Sequence, residues 1–401
     1  MTICDKNKCT GCYACVNICP FGCISMQEDQ YGELHPQIDE EKCKHCNKCR
    51  KICPNNNVLQ FEFPIKCFAS WITDQMERSI CASGGIATMI SKSVVKKGGV
   101  VFGTAYDKNF KPKFYGVDRL EDIERFKGSK YSQSIVGGRT FRQVKDFLCD
   151  GRLVLFIGTP CQVAGLKCFL QKDYANLVTI DLICHGVCPT RYFTEEISFL
   201  TKKYHLDNLS DIRFRGNDNK NYCLSLWRNK NGENSHEKEL VYIKPRYEQP
   251  YFCGFILGVT LRENCYSCNY ARPERVGDIT VGDFLHLGKK IPFPYDVKQP
   301  SVVLLNNKKG GAFYEELSKE NCGEIINIER NYYERLDYKP SLLEPFKRHP
   351  LQYKFRQLYL AYGFVKSIRA VLRFFIIKKK CRKIRKQWTR RVKKCFFYYM
   401  L

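Results

Sequence analysis

The sequence predicts a protein of the α/β class, α+β overall: a small cysteine-rich N-terminal domain, a larger mixed α/β domain and a basic helical tail. Three observations carry that expectation. A run of four cysteines closing on Cys-Pro occurs twice before residue 55. Between about residues 65 and 310, short buried-type strands alternate with segments of helical spacing. From Pro345 to Leu401 there is no Asp or Glu, while Lys and Arg are dense. The expected boundaries are 1–58, 62–150 and 151–345 (two parts of one domain), and 346–401. A chain of 401 residues has room for this, and a hydrophobic content of 44% is that of an ordinary globular protein.

In the N-terminal stretch, Cys9, Cys12, Cys15 and Cys19-Pro20 follow the spacing Cys-x-x-Cys-x-x-Cys-x-x-x-Cys-Pro, and Cys43, Cys46, Cys49 and Cys53-Pro54 repeat it. Three thiolates two residues apart can wrap one face of an iron–sulfide cubane, and the fourth must come from elsewhere. Structural zinc needs only four ligands and rarely shows the triple spacing. A disulfide framework is the other alternative. The stretch resembles a bacterial-type dicluster ferredoxin, in which the fourth cysteine of each run serves the other cluster. Two 4Fe-4S clusters are therefore expected, one on Cys9, Cys12, Cys15 and Cys53, the other on Cys43, Cys46, Cys49 and Cys19. The 24 cysteines sit in metal-type spacings and the N-terminus has no apolar signal core, which points to a reducing cytoplasm. No stretch reaches the apolar length of a membrane span.

Asn55-Asn56-Asn57 reads as a linker, with Phe61 to Pro64 as the entry to the next domain. Ser83-Gly84-Gly85 then precedes a helical pattern of Ile86, Met89, Ile90 and Val94, and the strand Val100 to Gly103 follows. A glycine pair there can admit a phosphate to the helix N-terminus, or be a helix entry with Ser83 as N-cap. Lys127 to Ser134 is a basic, hydroxyl-rich loop that suits a pyrophosphate or a solvated surface equally. The strand Leu153 to Ile157 runs into Gly158-Thr159-Pro160-Cys161 and a helix from Gln162 to Leu170, and the strand Leu177 to Ile183 ends at Cys184-His185-Gly186. Both cysteines fall at the carboxyl ends of strands, where open α/β sheets hold their ligands. Cys265 and Cys268, before the strand Asp278 to Val281, add a metal-type pair, so four cysteines could close a third cluster. Cys161 or Cys184 could also be a small buried hydrophobe. His185 could donate a proton or be a structural histidine. No Rossmann glycine fingerprint follows a strand and no Walker loop is present, so any dinucleotide is bound another way.

Ser83-Gly-Gly, Lys127-Gly-Ser-Lys-Tyr, Gly158-Thr-Pro-Cys-Gln, Asp181-Leu-Ile-Cys-His-Gly, Cys265-x-x-Cys268 and Gly282-Asp-Phe occur in the order seen in the beta subunit family of coenzyme F420-reducing hydrogenases and dehydrogenases. The chain resembles that family from about residue 65 to 310. The resemblance implies an oxidoreductase that binds FAD and an iron–sulfur cluster and links a two-electron hydride carrier to one-electron centres. It implies flavin contacts from Ser83, Gly84, Gly85, Lys130, Tyr131 and Ser134, and a third 4Fe-4S cluster on Cys161, Cys184, Cys265 and Cys268. Many bacterial relatives lie among polysaccharide-biosynthesis genes. Where many relatives continue Gly-Asp-Phe with Trp-Gly, this chain has Leu285-His286-Leu287-Gly288, a departure at the donor or substrate pocket.

In the tail, Ala361, Phe364, Val365, Ile368, Val371, Leu372 and Phe375 recur at helical steps opposite Lys366, Arg369 and Arg373. Beyond them, basic residues alternate with Trp388, Phe396, Phe397, Tyr398 and Tyr399. That pattern suits an anionic membrane surface, at the inner face for a cytoplasmic protein, or an amphipathic helix packed on the body. Nucleic acid would attract the same charge, but no nucleic-acid fold accompanies it. Together these readings give a flavin-dependent iron–sulfur oxidoreductase that exchanges electrons with a ferredoxin or other redox partner and acts on a hydride carrier or small-molecule substrate. A non-catalytic electron-transfer subunit of a larger redox complex is the alternative.

Overall fold

The computed structural model describes residues 2–217, 222–230 and 237–398, with side chains as far as residue 379. The chain forms two compact units, one made of Met1–Thr194, Arg213–Asn221 and Leu261–Lys347, the other of Glu195–Ile212, Tyr222–Thr260 and Arg348–Leu401.

The first unit begins with a duplicated motif. Helix α1 (Ala14–Ile18), the hairpin β1 (Ile24–Glu28) and β2 (Leu34–Ile38), and helix α2 (Lys48–Lys51) follow in order. Each short helix starts after a residue in the left-handed region, Tyr13 at φ 67° and Asn47 at φ 59°, and each carries the third cysteine of its run. Asn55, Asn56 and Asn57 are not a loose linker. Their side-chain amides donate to carbonyls of Lys8, Ile3, Arg50, Lys51 and Cys53, so the segment ties both ends of the cysteine-rich region together.

The body then runs through β3 (Lys66–Ile72), α3 (Gln75–Ser79), α4 (Ile86–Lys96), β4 (Val100–Tyr106), β5 (Pro112–Val117), α5 (Thr140–Cys149), β6 (Val154–Gly158), α6 (Pro160–Leu170) and β7 (Leu177–Leu182). Helix α7 (Thr190–Tyr204), strands β8 (Leu209–Arg213), β9 (Cys223–Asn229) and β10 (Lys238–Pro245) and helix α8 (Pro250–Ile256) follow. The chain continues with β11 (Ile279–Asp283), β12 (Ser301–Leu305), α9 (Lys308–Glu320), β13 (Ile325–Glu329), α10 (Tyr332–Leu336) and α11 (Leu351–Tyr398).

Eight strands form one mixed sheet in the order β13-β3-β12-β11-β7-β6-β4-β5. Strands β4, β6, β7 and β11 are parallel neighbours, and β12 pairs antiparallel with both β11 and β3, so β3 points the same way as the four. Val154, Leu155 and Phe156 of β6 are fully buried, as expected for a strand covered on both faces. One face packs Ile86, Ile90 and Val94 of α4 with Tyr314 and Leu317 of α9. The other packs α5 and α6 together with Cys12, Tyr13, Ala14 and Ile52. The cysteine-rich region therefore shares the core of the larger sheet.

The second unit contains the three-stranded sheet β10-β9-β8 and the helices around it. Gly363, at φ 70° and ψ 179°, breaks α11, and Glu195 accepts from the backbone N–H of Phe364 where the helix resumes. Phe364, Ile368, Val371 and Leu372 are buried, with Phe364 edge-on to Tyr251. Glu196 is fully buried and accepts from both terminal nitrogens of Arg369 at 2.8 Å. The apolar stripe expected in the tail is thus packed as far as Phe375, which is half-buried with its ring 6.1 Å from that of Tyr247, while Ala361 is exposed. The side chains of Trp388, Phe396, Phe397 and Tyr398, and the whole of Tyr399, lie outside the described residues. Among the described residues no helix is long and apolar enough to cross a membrane.

Candidate metal centres

Two cavities of similar size lie in the duplicated region. One, of about 320 Å³, is lined by Cys9, Cys12, Cys15 and Cys53, all buried. The other, of about 330 Å³, is lined by Cys19, Cys43, Cys46 and Cys49. Each cavity joins three cysteines of one run to the fourth of the other, the crossed grouping that the dicluster resemblance implies. Each also holds a fifth thiol that the spacing does not announce, Cys4 in the first and Cys23 in the second. Cys23 Sγ lies 3.3 Å from Cys19 Sγ.

A third cavity, of about 670 Å³, opens at the carboxyl ends of β6 and β7 and is lined by Cys161, Cys184, Cys265 and Cys268. Each cysteine arrives from a different piece of local chemistry. Thr159 caps α6 with a reciprocal Thr159–Gln162 capping box, and Pro160 occupies the first turn, so Cys161 sits at the positive end of the helix, which favours a thiolate. Cys184 follows β7, and its Sγ accepts from the Gly186 N–H at 3.4 Å. Cys265 and Cys268 belong to a 3₁₀ turn at Glu263–Ser267 and its C-cap. The Asp181 carboxylate, three residues before Cys184, is fully buried and accepts from Arg275 Nη2 (2.9 Å), Thr280 Oγ1 (2.6 Å) and the Gly277 N–H (3.0 Å). It pins β7 to β11, which fixes where the loop carrying Cys184 begins.

Burial pushes the thiols of Cys12 and Cys184 up to about 12 and that of Cys268 to about 11. Such groups become thiolates at neutral pH only against a bound cation, so metal uptake there releases protons. Thiols in sets of four, buried in the first cavity and half-buried in the third, fit the donor chemistry of iron–sulfur clusters. The Arg262 guanidinium opposes burial at Cys9, Cys161 and Cys265. It is fully buried and donates to Gln133 Oε1 (2.6 Å), Asn264 Oδ1 (3.1 Å) and the carbonyls of Cys9 and Leu34 (both 3.1 Å). It therefore ties the loop of the first cavity to the loop carrying Cys265.

The first and third cavities are neighbours. Thr10 lines both. A Cβ placed on Gly165 of α6 would lie 2.8 Å from Cys12 Cβ and 3.0 Å from Cys12 Sγ, so only glycine admits this approach. Gly165 is four residues beyond Cys161, about 6 Å along the helix. His185 also lines the third cavity, its ring 4.3 Å from that of Phe346.

The residues expected at a flavin divide. Ser83 Oγ lies 2.9 Å from Ser301 Oγ, and the Gly84 N–H donates to the same hydroxyl at 3.0 Å. Ser83 is not the N-cap of α4. That position is Gly85, at φ 85°, with no side-chain cap. A Cβ on Gly84 would meet Ser70 O at 2.3 Å, so this glycine serves strand packing. Tyr131 OH accepts from Arg215 Nη1 at 3.4 Å. Arg215 is buried and also binds Asp283 (2.7 and 3.2 Å) and Gln299 (3.1 Å). Lys130 is turned onto the carbonyls of Arg125, Phe126 and Lys127, and Ser134 lines the third cavity. Ser83, Tyr131 and Asp283 thus come together at one end of the strands, joined partly through Arg215. In the departing segment, His286 stands edge-on to Tyr338 and the Gly288 N–H donates to Glu334.

Comparison with known proteins finds both domains. Residues 8–57 match the model of a 4Fe-4S dicluster domain, and residues 151–331 match that of the C-terminal part of the coenzyme F420 hydrogenase/dehydrogenase beta subunit. No curated protein matches. Among solved structures, the F420-reducing [NiFe] hydrogenase complex from Methanosarcina barkeri contains a similar chain, at 14% identity and a TM-score of 0.40, covering 79% of this chain and 94% of that one. Residues 8–57 are thus similar to a 4Fe-4S dicluster domain and residues 151–331 to the C-terminal part of the coenzyme F420 hydrogenase/dehydrogenase beta subunit, a combination suited to an electron-transfer oxidoreductase.

Proposed function

We propose that the chain is a flavin-dependent iron–sulfur oxidoreductase, with 4Fe-4S clusters in both ferredoxin cavities, a third on Cys161, Cys184, Cys265 and Cys268, and FAD. It exchanges electrons with a one-electron carrier such as a ferredoxin and acts on a hydride carrier or small molecule. The observation that carries the reading is the convergence of those four cysteines, from three separate segments of the chain, on one cavity beside the first ferredoxin cavity. FAD supplies the exchange between paired and single electrons, and the clusters supply the one-electron relay. The residues present fit a flavin where Ser83, Tyr131 and the uncapped first turn of α4 meet at the strand ends, a usual ligand position in open α/β sheets. Arg262 and Gly165 hold the two cysteine loops together. Attachment to an anionic membrane would fall to the outer face of the tail, where Phe374 is 82% exposed and Lys378 is exposed, whereas Lys379 lies over the Tyr247 ring.

Anaerobic reconstitution of the full chain should give about twelve irons, four for each of three clusters, and one FAD. Cys161→Ser should remove about a third of that iron. A fully reconstituted preparation with eight irons and no flavin would overturn the reading. Turnover by the isolated chain separates an enzyme from an electron-transfer subunit.

A further inference from the structure

The two ferredoxin cavities differ in what surrounds them. The first is sealed: its four expected ligands are buried and Cys12 lies under α6. The second opens outward. Cys46 is exposed, Phe21 on its rim is 47% exposed, and Lys44 and Lys48 line it without any Asp or Glu. The segment 42–51 carries Lys42, Lys44, Lys48, Arg50 and Lys51, and no acid. Lys42 is held by Asp39 at 2.8 Å, and the Glu40 carboxylate lies within 4.8 Å of Cys43 Sγ and the His45 ring, so the positive excess at the rim comes from Lys44, Lys48, Arg50 and Lys51. Among the described residues, Lys44, Lys48, Arg50 and Lys51 have no ion-pair partner.

Resting on the oxidoreductase reading above, we propose that this rim is the docking surface for a small acidic protein carrying a one-electron centre. Positive charge around the outer cluster would steer an acidic carrier, and Phe21 supplies an apolar contact beside the cysteines. Such encounters need little buried area, because electrostatics sets the rate of approach and the complex must separate after one electron. The sealed first cavity then lies inward, toward the third, so the carrier meets the only one of the two ferredoxin cavities with an exposed cysteine among the described residues.

The test uses the reconstituted full chain in anaerobic stopped flow, with either a reduced, strongly acidic bacterial-type ferredoxin or reduced methyl viologen as electron source. With ferredoxin the rate should fall about ten-fold or more as ionic strength rises from about 0.01 to 1 M. Lys44→Glu/Lys48→Glu should slow the ferredoxin reaction by a similar factor at low salt with iron content intact, and by more than it slows the viologen reaction, which carries the shift in midpoint potential caused by charges that line the cavity. Arg50→Gln/Lys51→Gln, on residues that do not line the cavity, should show a smaller loss of the same kind, and decides the matter if the first variant loses its cluster. A salt-independent ferredoxin rate, wild-type rates in both variants, or an effect confined to the midpoint potential would overturn the docking surface. Viologen electrons that stop at the N-terminal clusters would instead overturn the oxidoreductase reading.

Discussion

Gly165→Ala puts a methyl group where the N-terminal domain meets α6. The new Cβ would stand 2.8 Å from Cys12 Cβ, against an ordinary carbon–carbon separation of about 3.5–4.0 Å, so a gap of about 0.7–1.2 Å must open. Neither side yields easily: Cys12 is tethered if it ligates a cluster, and Val163, Ala164 and Leu166 of the helix are fully buried. Overpacking of this kind costs about 1–3 kcal/mol. At about 2–4 °C per kcal/mol, a scan of the holoprotein should show a fall of roughly 2–12 °C. Electron passage from the viologen-reduced N-terminal clusters to the rest of the chain should slow while iron content stays intact, since no ligand has been removed. A variant with wild-type melting temperature and wild-type passage would refute the direct packing of Cys12 on α6 as the join between the two sites.

Three other outcomes follow from the same contacts. Cys19→Ala/Cys23→Ala should remove about four irons and the signal of the cluster facing Cys43, Cys46 and Cys49, whereas Cys19→Ala alone should keep part of it because Cys23 stands 3.3 Å away; loss of the other cluster's signal would refute the crossed grouping. Arg262→Leu leaves four buried acceptors unpaired and should destabilise the holoprotein by about 3 kcal/mol or more, with lower midpoint potentials for the neighbouring clusters by redox titration, while Arg262→Lys should recover the potentials better than the stability. Burial pushes the Asp278 carboxyl up, but Lys167, Lys309 and bonds from Asn307 and Thr179 outweigh it and hold the folded value below the ordinary one. Its stabilisation is therefore present above about pH 4 and lost as pH falls through the folded value, so Asp278→Asn should be less stable at neutral pH and flatter with acid in denaturant titrations.

What the sequence displayed was ligand spacing and strand punctuation. Cysteines separated by two residues can face one centre, and Cys161 and Cys184 follow closely on apolar runs, so their place at strand ends was legible. The residues that join the sites were not. Arg262 and Arg215 look like surface charges until the fold buries them, and Gly165 is an unremarked helix glycine whose reason lies more than 150 residues earlier, at Cys12. Gly84 suggested a phosphate loop by its neighbours, yet its missing side chain makes room for Ser70 of β3. The strands β8, β9 and β10 escaped notice although β9 buries Cys223 to Leu226 and β10 carries the run Leu240 to Ile243, because charged and polar residues flank each short run. In the tail, periodicity identified the packed face but not the break at Gly363, which depends on a carboxylate at Glu195.

The sharing of one core by Cys12, Tyr13, Ala14, Ile52 and α6 bears on how the molecule is made. The N-terminal domain leaves the ribosome first, and the helix that covers its apolar side ends at Leu170, more than 110 residues after the last cysteine of the second run. At about 5–20 residues per second, that face stays uncovered for roughly 6–24 s in each synthesis. During that interval the cysteines of the sealed cavity remain open to cluster donors and to oxygen alike. Arrival of α6 then covers that side, and Arg262 follows 92 residues later, so the inner site is fully closed only once most of the body has been made.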